Sequence, residues 1–354
     1  MRDASATLVR VYSRCRHSLG KLYRFLYRFH ARFFLSCSKF ILKSGRGNLT
    51  LAFNNKAGFD GTGAQIQRLL SVRCLADYLD CNYQHSPILT VSVHPLDPFQ
   101  SDEELKLYLT ELNELFFMPS KIRSFKKEIA YEYNSISSFE LFRISIQIFL
   151  FRKNVFLQVL ETYPATDSNP KILQCVGELS HSFYRSKIFA NAPRFDVVIH
   201  YRQGVGGFAV YPGQKLSRQL PLEYFIRLVR QIQSVTQSQI LKICILTDAP
   251  TTNMSYKILD SQTENWENTP NFENGEMTIQ GLSFSDLTEI PGIEVDIHIG
   301  GNPLDALAIM SKAEQLLIGR SSLSYVGALL NSGGKVYFPK SFWHPPMEEW
   351  EVCN

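Results

Sequence analysis

Cysteine is sparse in this 354-residue sequence, with seven in all and no C-x-x-C pair. They stand at 15, 37, 74, 81, 175, 244 and 353, an odd and scattered set. That excludes a disulfide scaffold or a cysteine-rich zinc site and suits a reducing compartment. No run approaches roughly 18 uninterrupted apolar residues, so no segment reads as a membrane span. Sixteen prolines and 20 glycines are too few for a collagen-like or mostly disordered chain. There is no D-x-D pair, and Gly204-Val205-Gly206 lacks the third glycine of a dinucleotide fingerprint. Acid is nearly missing from one end: residues 1–47 hold eleven Lys/Arg against the single acid Asp3, while the rest hold 26 basic against 32 acidic groups. A mildly acidic body excludes a duplex-binding surface spread over it, and no nucleic-acid partner is expected.

What is present is a globular composition, 45% hydrophobic and 20% charged, long enough for two domains of roughly 100–200 residues. At the basic end, Leu8, Tyr12, Cys15, Leu19, Leu22, Leu26, Phe29 and Phe33 recur at alternating spacings of 4 and 3. At about 100° per residue this makes one apolar stripe on a helix. Arg10, Arg14, His17, Lys21, Arg24, Arg28 and Arg32 repeat two residues later, on the opposite face. Such a helix suits the headgroup region of an anionic membrane, so residues 1–45 are expected to lie on one. A helix packed on the body, a heptad-like partner helix and an Arg-rich transit peptide are the alternatives.

A short hinge, Ser44 to Asn48, precedes the body. Leu49–Phe53 reads as a buried strand, followed by Gly58, Gly61 and Gly63 and a helix from Ala64 to Leu79. A strand feeding a glycine-rich turn and a helix N-terminus presents backbone N–H groups to an anion or a sugar hydroxyl. Tyr83–Ile88 reads as a strand, and 102–116 and 139–160 as helices, the second as core rather than as a membrane element. Residues 90–135 otherwise carry no readable pattern. Asp196–Tyr201, Leu241–Leu246, Ile293–Ile297, Leu316–Ile318 and Lys335–Phe338 read as strands. Pro221–Gln233, Leu304–Lys312 and Ser324–Leu330 read as helices, with 250–290 polar and irregular between them. This alternation predicts an α/β protein of two doubly wound Rossmann-type domains facing a cleft.

Two segments concentrate chemistry. His200 and Arg202 lie at the carboxyl end of a strand, where open α/β sheets bind ligands, and Arg offers a fork of donors matched to phosphate. Arg320-Ser321-Ser322-Leu323-Ser324 opens a helix, where hydroxyls and free N–H groups can cradle a phosphate or merely cap the helix. Asp305 heads the preceding helix, either as a cap or as a carboxylate for paired N–H donors. Asp60, His94, Asp97 and Asp248 are further polar candidates for a catalytic base.

Four pieces resemble the fucosyltransferase superfamily, especially bacterial α-1,2-fucosyltransferases and their α-1,6 and protein-O-fucosyltransferase relatives. Gly61-Thr62-Gly63-Ala64-Gln65 is similar to the early Gly-x-Gly-x-Gln loop, and His200-Tyr201-Arg202 to the core of the H-x-R-R-x-D motif. Arg218-Gln219-Leu220-Pro221-Leu222-Glu223-Tyr224-Phe225 is similar to the downstream Leu-Pro and Glu-Tyr segment. Asp305 through Gly327 is similar to the D-x-x-x-M-S … S-S-x-S-x-x-G block. Gln203 and Val205 depart from the motif, the latter removing a carboxylate.

The resemblance implies a GT-B fold and inverting transfer of fucose from GDP-fucose, a co-substrate, to a glycan or glycolipid acceptor, with no cofactor and no metal. It implies that Arg202 holds the β-phosphate with His200 beside the diphosphate. Asp305 binds guanine, Ser321, Ser322 and Ser324 contact phosphate, and Gly61, Gly63 and Gln65 line the donor loop. The expected division is a basic helix over 1–45, an acceptor-side domain over 46–190 and a nucleotide-sugar domain over 191–354. The expected location is the cytoplasmic face of the inner membrane. A transferase of the same architecture using another nucleotide sugar, and a membrane-associated glycan-binding protein without turnover, are the rivals.

Overall fold

A computed structural model of the chain describes residues 29–44, 47–56, 60–94, 96–99, 101–122, 129–167, 169–183, 187–202, 219–236, 240–257, 272–274, 276–279 and 281–354. Gly58, the basic stripe before Phe29, Gln203, the 204–207 glycine run and Arg218 lie outside them. Two compact units emerge. One comprises Met1–Asn54, Ser71–Gln84 and Ser120–Leu173, the other Asn55–Leu70, His85–Pro119 and Gln174–Asn354. Residues 55–70, 85–119 and 174–190, expected in the first domain, therefore group with the second unit.

The first unit holds a four-stranded parallel sheet of β1 (Asn48–Phe53), β2 (Asn82–Gln84), β3 (Ile129–Ser135) and β4 (Asn154–Glu161), in the order β2-β1-β4-β3. Central β1 is buried over Leu49–Phe53, which is why its sequence is apolar but for Thr50, whose hydroxyl accepts from Asn82 Nδ2. The single helix expected over 139–160 is instead a helix, Ser138–Phe151, followed by β4. Arg152 adopts a left-handed conformation (φ +53°) that stops the helix, and Val155, Leu157 and Val159 then alternate inward as a strand requires. The helix is core along one face only: Leu141, Ile144 and Ile148 are buried, while Phe139, Leu150 and Phe151 are exposed. Residues 29–43 form a helix as the spacing predicts.

The second unit holds a six-stranded parallel sheet of β5 (Val197–Tyr201), β6 (Leu241–Thr247), β10 (Ile293–Ile299), β11 (Gln315–Ile318), β12 (Lys335–Pro339) and β13 (Glu351–Cys353). Its order is β10-β6-β5-β11-β12-β13. Counted within the sheet this is 3-2-1-4-5-6, the dinucleotide-fold order, with the reversal between β5 and β11. The α/β expectation is met in both units. Val197, Ile199 and Tyr201 pack with Phe225, Leu228, Val229 and Ile232 of the Leu222–Val235 helix. Each such side chain contributes about 1.5–3 kcal/mol by burial. Val198 and His200 alternate to the other face. The 250–290 segment is not wholly irregular: β7 (Met254–Lys257), β8 (Phe272–Glu273) and β9 (Glu276–Ile279) form a small antiparallel sheet.

Candidate functional site

Register brings the chemistry together. Tyr201 pairs with Thr247, Thr247 with Ile299, and His200 with Ile318, so four parallel strands end at one level. The next residues, Arg202, Asp248, Gly300 and Gly319, line the carboxyl edge of the sheet at the point where the strand order reverses. Arg202 Nε lies 3.8 Å from Asp248 Oδ2, and His94 Nε2 lies 3.4 Å from that same oxygen.

His94 arrives from a loop pinned at both ends. Ser92 N–H donates to the Asp60 carbonyl (2.9 Å) and Gly301 N–H to the Leu96 carbonyl (3.0 Å). The approach needs a glycine at 300, whose φ is +66° and where a Cβ would lie 2.3 Å from the Leu96 carbonyl oxygen. Within the loop, Leu96 N–H donates to His94 Nδ1 (3.2 Å), so the neutral ring carries its proton on Nε2, facing Asp248. His94 N–H donates to Asp97 Oδ2 (2.7 Å). Burial depresses the His94 pKa to about 4, against the pull of Asp248 and with that of Arg202. Burial raises Asp97 to about 7, against the His94 N–H and Arg202, which favour its charged form.

His200, near the end of β5, meets the Ser322–Leu330 helix. Its Nδ1 lies 2.8 Å from Ser324 Oγ, and that hydroxyl also donates to the Gly319 carbonyl (3.2 Å). Burial lowers the His200 pKa to about 4, so the imidazole is neutral in the fold, opposing the effect of Asp248. Ser321 caps the helix, its Oγ accepting from Leu323 N–H (3.3 Å). Gly63, in the first turn of the Thr62–Leu79 helix, sits against this same helix start. A Cβ there would lie 2.3 Å from Leu323 N and 2.6 Å from Ser322 C, so the two helix N-termini touch through a hydrogen-only residue.

No family model and no curated protein matches the chain. Among solved structures it is similar to E. coli heptosyltransferase WaaC with ADP-2-deoxy-2-fluoro heptose. Identity is 8%, over 86% of this chain and 93% of that one, and the TM-score is 0.35.

The residues singled out in the sequence fare differently. His200, Arg202, Ser321, Ser322, Ser324 and Gly63 converge, with Gly61 just before the Thr62–Leu79 helix and Gln65 buried in its first turns. Ser324 is spent on His200 and Gly319, and Ser321 on the cap, so of the three serines Ser322, half-exposed at the helix start, is the one placed to offer its hydroxyl outward. Asp305 is exposed in the first turn of the Pro303–Lys312 helix. It is not the cap: Asn302 Oδ1 takes Leu304 N–H (2.9 Å). Its strand, β10, is two places from β5, roughly 10 Å at ordinary strand spacing. Of the base candidates, Asp60 pairs with Arg68 (2.5 Å), whereas His94, Asp97 and Asp248 gather around Arg202. Asp248 could have been picked out by ordering the strands, since it follows a buried strand beside β5. His94 and Asp97 sit on an aperiodic loop whose position depends on a distant backbone contact.

Proposed function

We propose that this protein is a glycosyltransferase of the GT-B type that moves a sugar, fucose from GDP-fucose, to the hydroxyl of a glycan or glycolipid acceptor with inversion. The observation that carries the reading is the cluster at the strand-order reversal: a guanidinium, a helix start bearing hydroxyls and a raised-pKa carboxylate within one pinned framework. Arg202 meets Asp248 through Nε, and its four remaining N–H donors suit a diphosphate. As the C1–O bond to the β-phosphate breaks, negative charge builds on that phosphate. Donors fixed beforehand then stabilise the transition state more than the ground state.

The acceptor oxygen forms the new bond to C1, its proton passes to a carboxylate, and GDP departs with the electron pair of the broken bond. Asp97, poised near neutrality, has the proton affinity for that role. Asp248, flanked by His94 and Arg202, orients the guanidinium. His200 acts at one remove, holding the Ser324 turn against the end of β5. Release of GDP from GDP-fucose in the presence of glycan acceptors tests this. Arg202→Ala is expected to lower turnover by about 100- to 1000-fold, and a near-wild-type rate refutes the mechanism. The motif departures at Gln203 and Val205 favour a second reading, a donor with a different base. Thermal stabilisation ranked across GDP, UDP, ADP and CMP separates the two, and preference for UDP removes the GDP assignment.

A further inference from the structure

The helix at 29–43 turns its aromatic stripe away from the protein. Ala31, Leu35 and Ser38 form its buried face, while Phe29, Phe33 and Phe40 are 59%, 55% and 80% exposed on the opposite side. Beside it, the Ser138–Phe151 helix exposes Phe139, Leu150 and Phe151 at 56%, 63% and 63%. Phe34 joins the two helices, its ring centroid 5.2 Å from both Phe139 and Phe142. Scattered exposed hydrophobics need no explanation, but six large ones on two coupled helices do. The exposed charges on and just beyond these helices are cationic. Arg32, Lys43, Arg143 and Lys153 are exposed, and Lys153 Nζ lies 5.4 Å from the centroid of the Phe151 ring. The only acid on either helix is Glu140, whose carboxylate is engaged by the Ser137 N–H and hydroxyl in a capping box.

We propose that this two-helix face is a docking surface for an anionic lipid bilayer, with the rings entering the acyl boundary and the cations meeting headgroup phosphates. The surface so defined extends beyond residues 1–45 to a helix of the folded unit, and it is independent of the transferase reading. Charge favours lipid over protein. Cores of protein interfaces are depleted in Lys, whereas each cation near an anionic leaflet strengthens binding about fivefold. The sequence of residues 1–28, which precede this helix, repeats the same apolar and cationic alternation. No helix among the described residues is long and apolar enough to cross a membrane, so contact is in the plane of the interface.

Co-sedimentation of the full chain with phosphatidylcholine vesicles, with and without phosphatidylglycerol, tests this. Wild type is expected to prefer the anionic vesicles. Leu150→Ser/Phe151→Ser, at exposed positions that leave the core untouched, is expected to lower partitioning by about tenfold or more. Arg143→Ser/Lys153→Ser is expected to lower anionic binding toward the neutral-vesicle level while circular dichroism stays unchanged. Wild-type partitioning by Leu150→Ser/Phe151→Ser overturns the proposal. So does a lipid-indifferent wild type whose concentration-dependent dimer is broken by that variant, which would make the face a contact between copies of this chain.

Discussion

Adding one methyl group at Gly63 should break the candidate site from a distance. The new Cβ would lie 2.3 Å from Leu323 N, 2.4 Å from Leu323 Cα and 2.6 Å from Ser322 C, all backbone atoms that no rotamer change can move. Relief requires the two helix starts to part by about an ångström, which costs about 1–3 kcal/mol or more. The better helix propensity of Ala returns about 1 kcal/mol, so the net sign remains destabilising. Gly61→Ala is the control. Its Cβ finds only the Ser92 carbonyl oxygen at 4.0 Å, and its φ lies outside the left-handed range, so stability should hold or rise by about 0.4–1 kcal/mol. Urea unfolding midpoints at constant m report the difference, and nucleotide affinity reports the displaced Ser321–Ser324 turn. Equal midpoints for Gly63→Ala and Gly61→Ala would refute the close approach, and an unchanged nucleotide affinity would refute its link to the site.

Acid should weaken the fold. His94 and His200 titrate near 4 when folded against 6.5 when free, and Asp97 near 7 against 3.8. Between those limits the unfolded chain binds two protons that the fold rejects, while the fold keeps one on Asp97 that the unfolded chain releases. The net single proton lowers stability by about 1.4 kcal/mol per pH unit as pH falls from 6.5 toward 4. Asp97→Asn removes the opposing group and should steepen the slope to about 2.7 kcal/mol per unit, so a flatter slope in urea midpoints contradicts the assignment. The same variant should abolish the acidic limb of the turnover profile. Asp60→Ala should act oppositely, costing about 1.5–3 kcal/mol through its lost bond to Arg68 while leaving turnover per folded molecule unchanged.

The second unit was the more legible half. Val197–Tyr201 and Leu241–Thr247 are buried along their whole length except at Lys242 because a central parallel strand is covered on both faces, and no helix of that length competes. Residues 139–160 misled because the end of a helix and the start of a buried strand are equally apolar, and the αL turn at Arg152 has no marker residue such as Gly. Strand β3 hid because its residues are almost all exposed, which removes the alternation that betrays a strand. In the site, His200, Arg202 and the 321–324 turn were readable from local pattern. That Ser324 would be consumed by His200 was not, since a serine opening a helix looks the same whether it caps, bridges or binds. His94 depends on Gly301 holding Leu96, a pairing no local window contains.

Gly63 and Leu323 lie 260 residues apart in the sequence, and their contact sets the order in which the candidate site can form. On a translating ribosome the glycine waits, uncovered, until the 260 residues that separate it from its counterpart have followed. Loop closure over such a separation is slow but costs only logarithmically more than a short one. Nascent chains that stall before residue 321 can pair β5 with β6, yet they lack the helix start that completes the carboxyl edge of the sheet. The candidate site therefore closes only after both segments have been made.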